Sequence, residues 1–243
     1  MNAFKAVYKR ELAGYFVTPL AYVFLVIFLY FASDLTFRND WYEMRQATLR
    51  PFFVNMPLLF IFLVPAMAMR LWAEERRTNT IELLFSLPVT TVQAVLGKFL
   101  AAWTVIALAL ALTFPMVITA GYLGDPDWGP IATGYLGSLL LAGAYLAIGS
   151  FFSALTRNQV IAFVLAVVAS ALFVFAGDPS TLDRLAEFAP LWFVEAVEGL
   201  SFRTRFESLQ RGVVALRDVA FFVLLTAGWL WANVVILEER RAA

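Results

Sequence analysis

The stretch RLWAEERRTNTIELLFSLPVTT, Arg70–Thr91, decides how the rest of the chain is read. It crowds Arg70, Glu74, Glu75, Arg76, Arg77 and Glu82 between two apolar runs, Pro51–Met69 and Phe99–Leu123, that hold no acid or base. Asn79 followed three residues later by Glu82 is a capping-box pattern and predicts a short helix opening there. Ile81, Leu84 and Phe85 fall at i, i+3 and i+4 and would share its apolar face. Leu87 precedes Pro88, which disfavours helix and ends the element. Thr90 and Gln93 form a second capping pair, at the head of the next long helix. A charged helix with one apolar face, held between two apolar runs, is built to touch something.

Working outward, composition sets the class. Hydrophobic residues make up 62% of the 243, and charged residues only 15%. Soluble domains carry roughly a quarter charged residues. Apolar runs of about 20 residues recur, the length that crosses a hydrocarbon core. The chain therefore reads as an all-α, polytopic membrane protein. It has no cysteine and no histidine, which excludes disulfide scaffolds, thiolate chemistry, the usual zinc sites and histidine-dependent triads. A net charge of zero provides no basic field for nucleic acid. Met1–Thr18 lacks a cleavable-signal pattern, so the first apolar run is expected to be a retained span.

Six spans are expected: about 19–37, 51–69, 94–123, 131–155, 159–177 and 218–237. Before them, residues 1–18 place Phe4, Val7, Tyr8 and Leu12 on one helical face, suited to lying in the membrane interface. Pro57 and Pro65 predict kinks in the second span, and the third is long enough to tilt. Gly134, Gly137, Ala142, Gly143, Ala147, Gly149, Ser150 and Ser153 line the fourth span with small residues that let helices approach closely, inside the bundle or between subunits. In the insert 178–217, Leu182, Leu185 and Ala186, then Trp192, Phe193, Ala196 and Val197, repeat at helical spacing, with Pro179 and Pro190 between them. Short amphipathic helices at the membrane surface are expected there. With both termini inside, ten of the 18 basic residues are cytoplasmic, a narrow positive-inside margin.

The span cores hold almost no ionisable group, whereas ion-coupled carriers bury carboxylates or bases along their route. Asn55, Thr104, Thr113, Ser150, Ser153, Thr226 and Asn233 are the polar residues at depth, each expected to bond back to its own helix. No phosphate-binding GxxxxGK[ST] loop is present. Energy for uphill movement would have to enter from another protein, and residues 70–91 are where it could enter.

Four stretches carry a family resemblance: KRELAGYFVTPLAYVF (Lys9–Phe24), MRLWAEERRTNTIELLFSLPVT (Met69–Thr90) with VLGKFLA (Val95–Ala101), LGDPDWGPI (Leu123–Ile131) and FESLQRGVVALRDVAFF (Phe206–Phe222). The chain resembles ABC transporter permeases of the type 2 exporter class, and within them the gliding-motility-associated type, related to the nitrous-oxide-reductase maturation permease. That resemblance implies a single permease domain over residues 1–243, with both termini cytoplasmic in a bacterial inner membrane. It also implies an interfacial amino-terminal helix, a cytoplasmic coupling helix within 70–91, and short re-entrant helices before the last span. Two permease chains, identical or homologous, would assemble with two ABC ATPase subunits. ATP and magnesium would sit in those partners, so no cofactor, metal or catalytic residue is expected in this chain. The coupling contact falls by position on Glu74, Glu75, Arg76, Arg77, Thr80, Ile81, Glu82 and Leu83, with Leu84 and Phe85 completing the apolar face. The implied function is ATP-driven export. The alternative is transmission of force to a periplasmic or membrane-anchored accessory protein.

Overall fold

A computed structural model describes residues 3–38, 47–82 and 88–242, which are helical apart from turns and contain no strand. Residues 39–46, and the predicted contact residues Leu83, Leu84 and Phe85 with the end of their expected helix at Leu87, lie outside the described residues. Helix α1 spans Ala3–Val17, α2 Leu20–Arg38, α3 Arg50–Ala68 and α4 Arg70–Arg77. Next come α5, Thr91–Ala111, α6, Phe114–Leu123, α7, Trp128–Leu155, and α8, Gln159–Phe175. Three short helices, α9 (Pro179–Ala186), α10 (Leu191–Gly199) and α11 (Phe202–Gln210), precede α12, Leu216–Ala242.

Five helical stretches among these residues are long and apolar enough to cross a membrane: Ala21–Arg38, Arg50–Arg77, Thr91–Leu123, Trp128–Leu155 and Leu216–Arg240. The remaining expected span is α8, whose 17 residues are at the short end for crossing hydrocarbon. Beyond it the chain bends by 76° into α9. The protein is thus a multi-pass helical membrane protein with five spans, or six if this bent pair counts as one.

The small-residue helix α7 is the hub. All eight of its small residues named above are buried, and it packs against α3, α4, α5, α8, α11 and α12. Packing within the bundle is therefore what these residues do. Gly149 shows the reason most directly, because a Cβ there would collide with the Cβ of Ala68 at the end of α3. The outer helices bury narrow stripes instead. Helix α8 buries only Ala162, Ala166, Ser170 and Val174, every fourth residue, and α2 buries Ala21, Phe24, Phe28 and Ala32.

Helix starts follow the sequence in most places. Thr90 and Gln93 make both bonds of the capping box, at 3.2 and 3.3 Å. Asp127 and Asn158 cap α7 and α8. The expected third span is divided, however. Pro115 has no N–H to continue the ladder, and the chain reopens as α6 after Leu112 and Thr113. The Thr113 hydroxyl satisfies the Leu110 carbonyl at 2.6 Å within the break.

The insert holds the two expected surface helices, and a third that is part of the core. Helix α11 buries Phe202, Phe206, Leu209 and Gln210. Its Phe202 ring stacks on Phe173 and meets Tyr145 edge-on. Arg205 and Asp218 pair at 3.1 Å, and Ser208 donates to the same carboxylate at 2.5 Å, tying α11 to the start of α12.

Candidate functional site at the base of the bundle

Residues 70–82 divide into a helix and a turn, and the helix begins from an unusual break. The ladder of α3 would continue from the Met69 carbonyl to the Ala73 N–H. The Ser153 hydroxyl of α7 stands in that step. It donates to the Met69 carbonyl at 2.8 Å and accepts from the N–H groups of Ala73 and Trp72, each at 3.0 Å. A side chain inserted into the i→i−4 ladder is a known cause of a helix break. Trp72, fully buried, donates its indole N–H to the Ser150 hydroxyl at 3.2 Å, and Asn233 of α12 donates to the same oxygen at 2.6 Å. Ser150, Ser153 and Asn233 therefore bond across helices rather than back to their own, correcting the expectation for them. Asn55, Thr104 and Thr113 do bond back. The crossing bonds give the buried Trp72 indole and the N–H groups at the broken ladder the partners that buried donors require.

Helix α4 ends in a Schellman motif. Asn79 adopts φ 56°, in the left-handed region, and the Thr80 N–H reaches back to the Glu75 carbonyl at 3.0 Å. Asn79 therefore closes α4 instead of capping a following helix, as its side chain tolerates the left-handed region better than most. Ile81 and Glu82 then resume helical conformation.

The charges of α4 point mostly into the protein. Glu75 Oε1 is 2.9 Å from Lys98 Nζ of α5, and Glu11 Oε2 of α1 is 3.1 Å from the same ammonium. Lys98 is only 3% exposed and lies over the Trp72 ring, 5.2 Å from its centre. Arg10 pairs with Glu11 at 2.7 Å and stands 3.7 Å from Glu75. Burial pushes the Glu11 carboxyl up, but Lys98 and Arg10 outweigh it and hold the group below its ordinary range. Arg76 donates to the Ala154 carbonyl of α7, and Arg70 pairs with Glu74 at 2.7 Å. One cluster thus joins α1, α4 and α5, while hydroxyls join α4 to α7 and α12.

Of the residues expected to form the coupling contact, Glu75 and Arg76 are half-buried and engaged with the chain itself. Glu74 is half-buried against Arg70, Ile81 is half-buried, and Arg77, Thr80 and Glu82 are exposed. Sequence reading missed Lys98, Glu11, Ser150 and Ser153 as parts of this assembly. Lys98 had a signal: one ammonium in the otherwise apolar run VLGKFLA needs a buried partner.

Such a bundle, with a charged helix at the end of α3 bonded to α1, α5 and α7, defines a polytopic helical membrane protein with a polar cluster at one end. Residues 42–235 match the family of ABC-2 family transporter proteins, which is most of the chain. The protein belongs to that family and is a permease subunit of an ABC transporter. Permease domains of this kind are not themselves catalytic, and the family implies an ABC ATPase partner and a second permease chain. No curated protein shows a significant match to the sequence.

Proposed function

We propose that this permease couples ATP hydrolysis in the partner ATPases to export across a bacterial cytoplasmic membrane. In this reading it has six spans, both termini cytoplasmic, and one permease domain over its whole length. The observation that carries it is the attachment of α4: a charged helix at the end of α3, bonded to α7 through Ser153 and to α1 and α5 through Glu75 and Lys98. A push on residues 77–82 would reach the bundle through those contacts. Arg77, Thr80 and Glu82 supply the exposed polar rim, and Ile81, with Leu83, Leu84 and Phe85, would supply the apolar contact. The resemblance of residues 69–90 and 206–222 to gliding-motility-associated permeases supports that subtype.

The test separates coupling from folding. Arg77→Glu with Glu82→Arg reverses two exposed charges of the proposed contact and leaves in place Ile81, which packs against the core. ATP turnover of the assembled complex should then lose its dependence on the permease, with membrane insertion and the thermal midpoint unchanged. Wild-type turnover and ATPase retention in that variant would end the coupling assignment.

A second reading, force transmission to an accessory protein on the opposite side, is favoured by α9 and α10. Phe188, Leu191 and Trp192 are exposed there, at 88%, 72% and 69%, among Asp183, Glu187, Glu195 and Glu198. In that case Phe188→Ser with Trp192→Ser would release a co-purifying accessory protein while ATP turnover stays at wild-type level. Retention of the accessory protein by this variant would exclude α9 and α10 as its contact.

A further inference from the structure

At the end of α3 remote from α4, a cavity of about 430 Å³ opens between α3, the end of α8 and α11. Its two sides differ in chemistry. Val54, Leu58 and Phe175 form one wall, each about half exposed on the outside of the bundle, where membrane hydrocarbon would lie. Arg50, Arg203, Glu207, Asn55 and the amide of Gln210 form the other.

Charge on the polar side is not balanced. Arg203 is paired with Asp178 at 3.1 Å, and Glu207 with Arg211 at 2.5 Å. Arg50 has no carboxylate partner among the described residues, and it also borders a second cavity, of about 300 Å³, next to Arg211 and Asp127. The Asp127 carboxylate there is committed to capping α7 through the Gly129 N–H at 3.0 Å. Gln210 is 9% exposed, and its Nε2 makes only a long contact, 3.5 Å, to the Phe53 carbonyl. That carbonyl is open because Pro57, four residues on, has no N–H. A guanidinium with no ion pair among the described residues and a weakly engaged amide therefore meet an apolar wall.

We propose that this cavity is a binding site for a lipid with an anionic headgroup. The headgroup phosphate takes a charge-assisted bond from Arg50 and a second bond from Gln210. The first methylenes lie on Val54, Leu58 and Phe175, and the acyl chains continue into the bilayer. The volume suits a headgroup and the start of its chains rather than a whole lipid. A free anion would gain nothing from the apolar wall, and a zwitterionic lipid would bring its ammonium toward Arg50. The assignment uses only the multi-pass reading and is independent of ATP coupling.

The test uses the purified full-length chain in nanodiscs of equal phosphatidylglycerol and phosphatidylethanolamine, followed by native mass spectrometry of lipid retained on release. Wild type should retain phosphatidylglycerol about tenfold over phosphatidylethanolamine, the scale of one charge-assisted bond. Arg50→Gln should erase that preference and Arg50→Lys should keep most of it. Val54→Trp, which fills the cavity, should lower retention of both lipids. Equal retention of the two lipids by wild type, or an unchanged preference in Arg50→Gln, overturns the proposal. Displacement of phosphatidylglycerol by millimolar inorganic phosphate also overturns it, since the ligand would then be the free anion.

Discussion

Replacing Lys98 with alanine is expected to destabilise the folded protein by about 3 kcal/mol, the lower end for removing one partner of a buried ion pair. The ammonium is 3% exposed and is shared by two carboxylates, Glu11 and Glu75, that are themselves 18% and 19% exposed. Without it those carboxylates face each other, with only the half-exposed Arg10 to offset them. Uncompensated buried charge is what makes the loss large. The stem of Lys98 also covers Trp72, so some packing goes with the charge. Thermal unfolding in detergent, followed by tryptophan fluorescence, measures the effect. Glu11→Gln and Glu75→Gln added to Lys98→Ala should recover most of the loss, because they remove the stranded charges. A wild-type midpoint for Lys98→Ala would mean that water or lipid already screens the cluster.

The same cluster sets an acid limit. Glu11 is held below its ordinary value of 4.5, so the folded state favours its ionised form. Its contribution is complete above that ordinary value and is lost as pH falls through the lower, folded one. The thermal midpoint of the wild type should therefore drop more steeply than that of Glu11→Gln once pH goes below 4.5.

Gly149→Val is the second large effect. The crossing of α7 and α3 brings Gly149 against Ala68, and both are fully buried, so an added Cβ meets another Cβ with no flexible side chain to yield. Overpacking a core site costs roughly 1–3 kcal/mol. The upper end is expected here, because two helix backbones must separate. The shift would also pull Ser153, one turn further along α7, out of the α3–α4 break. The expected result is a lower yield of monodisperse protein by fluorescence-detected size exclusion and a lower midpoint. Ala68→Gly in the same chain should restore part of both. A variant as stable as wild type would show that the helices slide apart at little cost.

The division between what the residues foretold and what they hid follows from range. Spans, caps and the small-residue hub are local or periodic properties, so Thr90–Gln93, Asp127 and the buried face of α7 could be read directly. The break in the third span was not anticipated, although Pro115 marks where the ladder fails. Contacts between distant segments left little trace. Glu11, Glu75 and Lys98 lie on three helices, and nothing in their spacing says that they converge. Asn79 misled because the residue type that caps a helix start also tolerates the left-handed turn that ends one. Helix α11 could have been found from Ser201 followed by Phe202, Phe206 and Leu209 at helical spacing, but the arginines among them disguised a core element as a surface one. The proposed contact at 81–85 is legible as an amphipathic pattern. Its occupant belongs to another chain and leaves no mark on this one.

The Ser153 hydroxyl in the ladder between Met69 and Ala73 has a mechanical consequence. A helix that bends at a proline or a glycine carries its own hinge, and the bend angle can drift. Here the hinge pin is supplied by a different helix. Because that one hydroxyl bonds both sides of the break, a movement of α7 relative to α3 either carries the start of α4 with it or breaks these three bonds. A displacement at the base therefore has a path to the hub through the Ser153 hydroxyl as well as through the covalent chain.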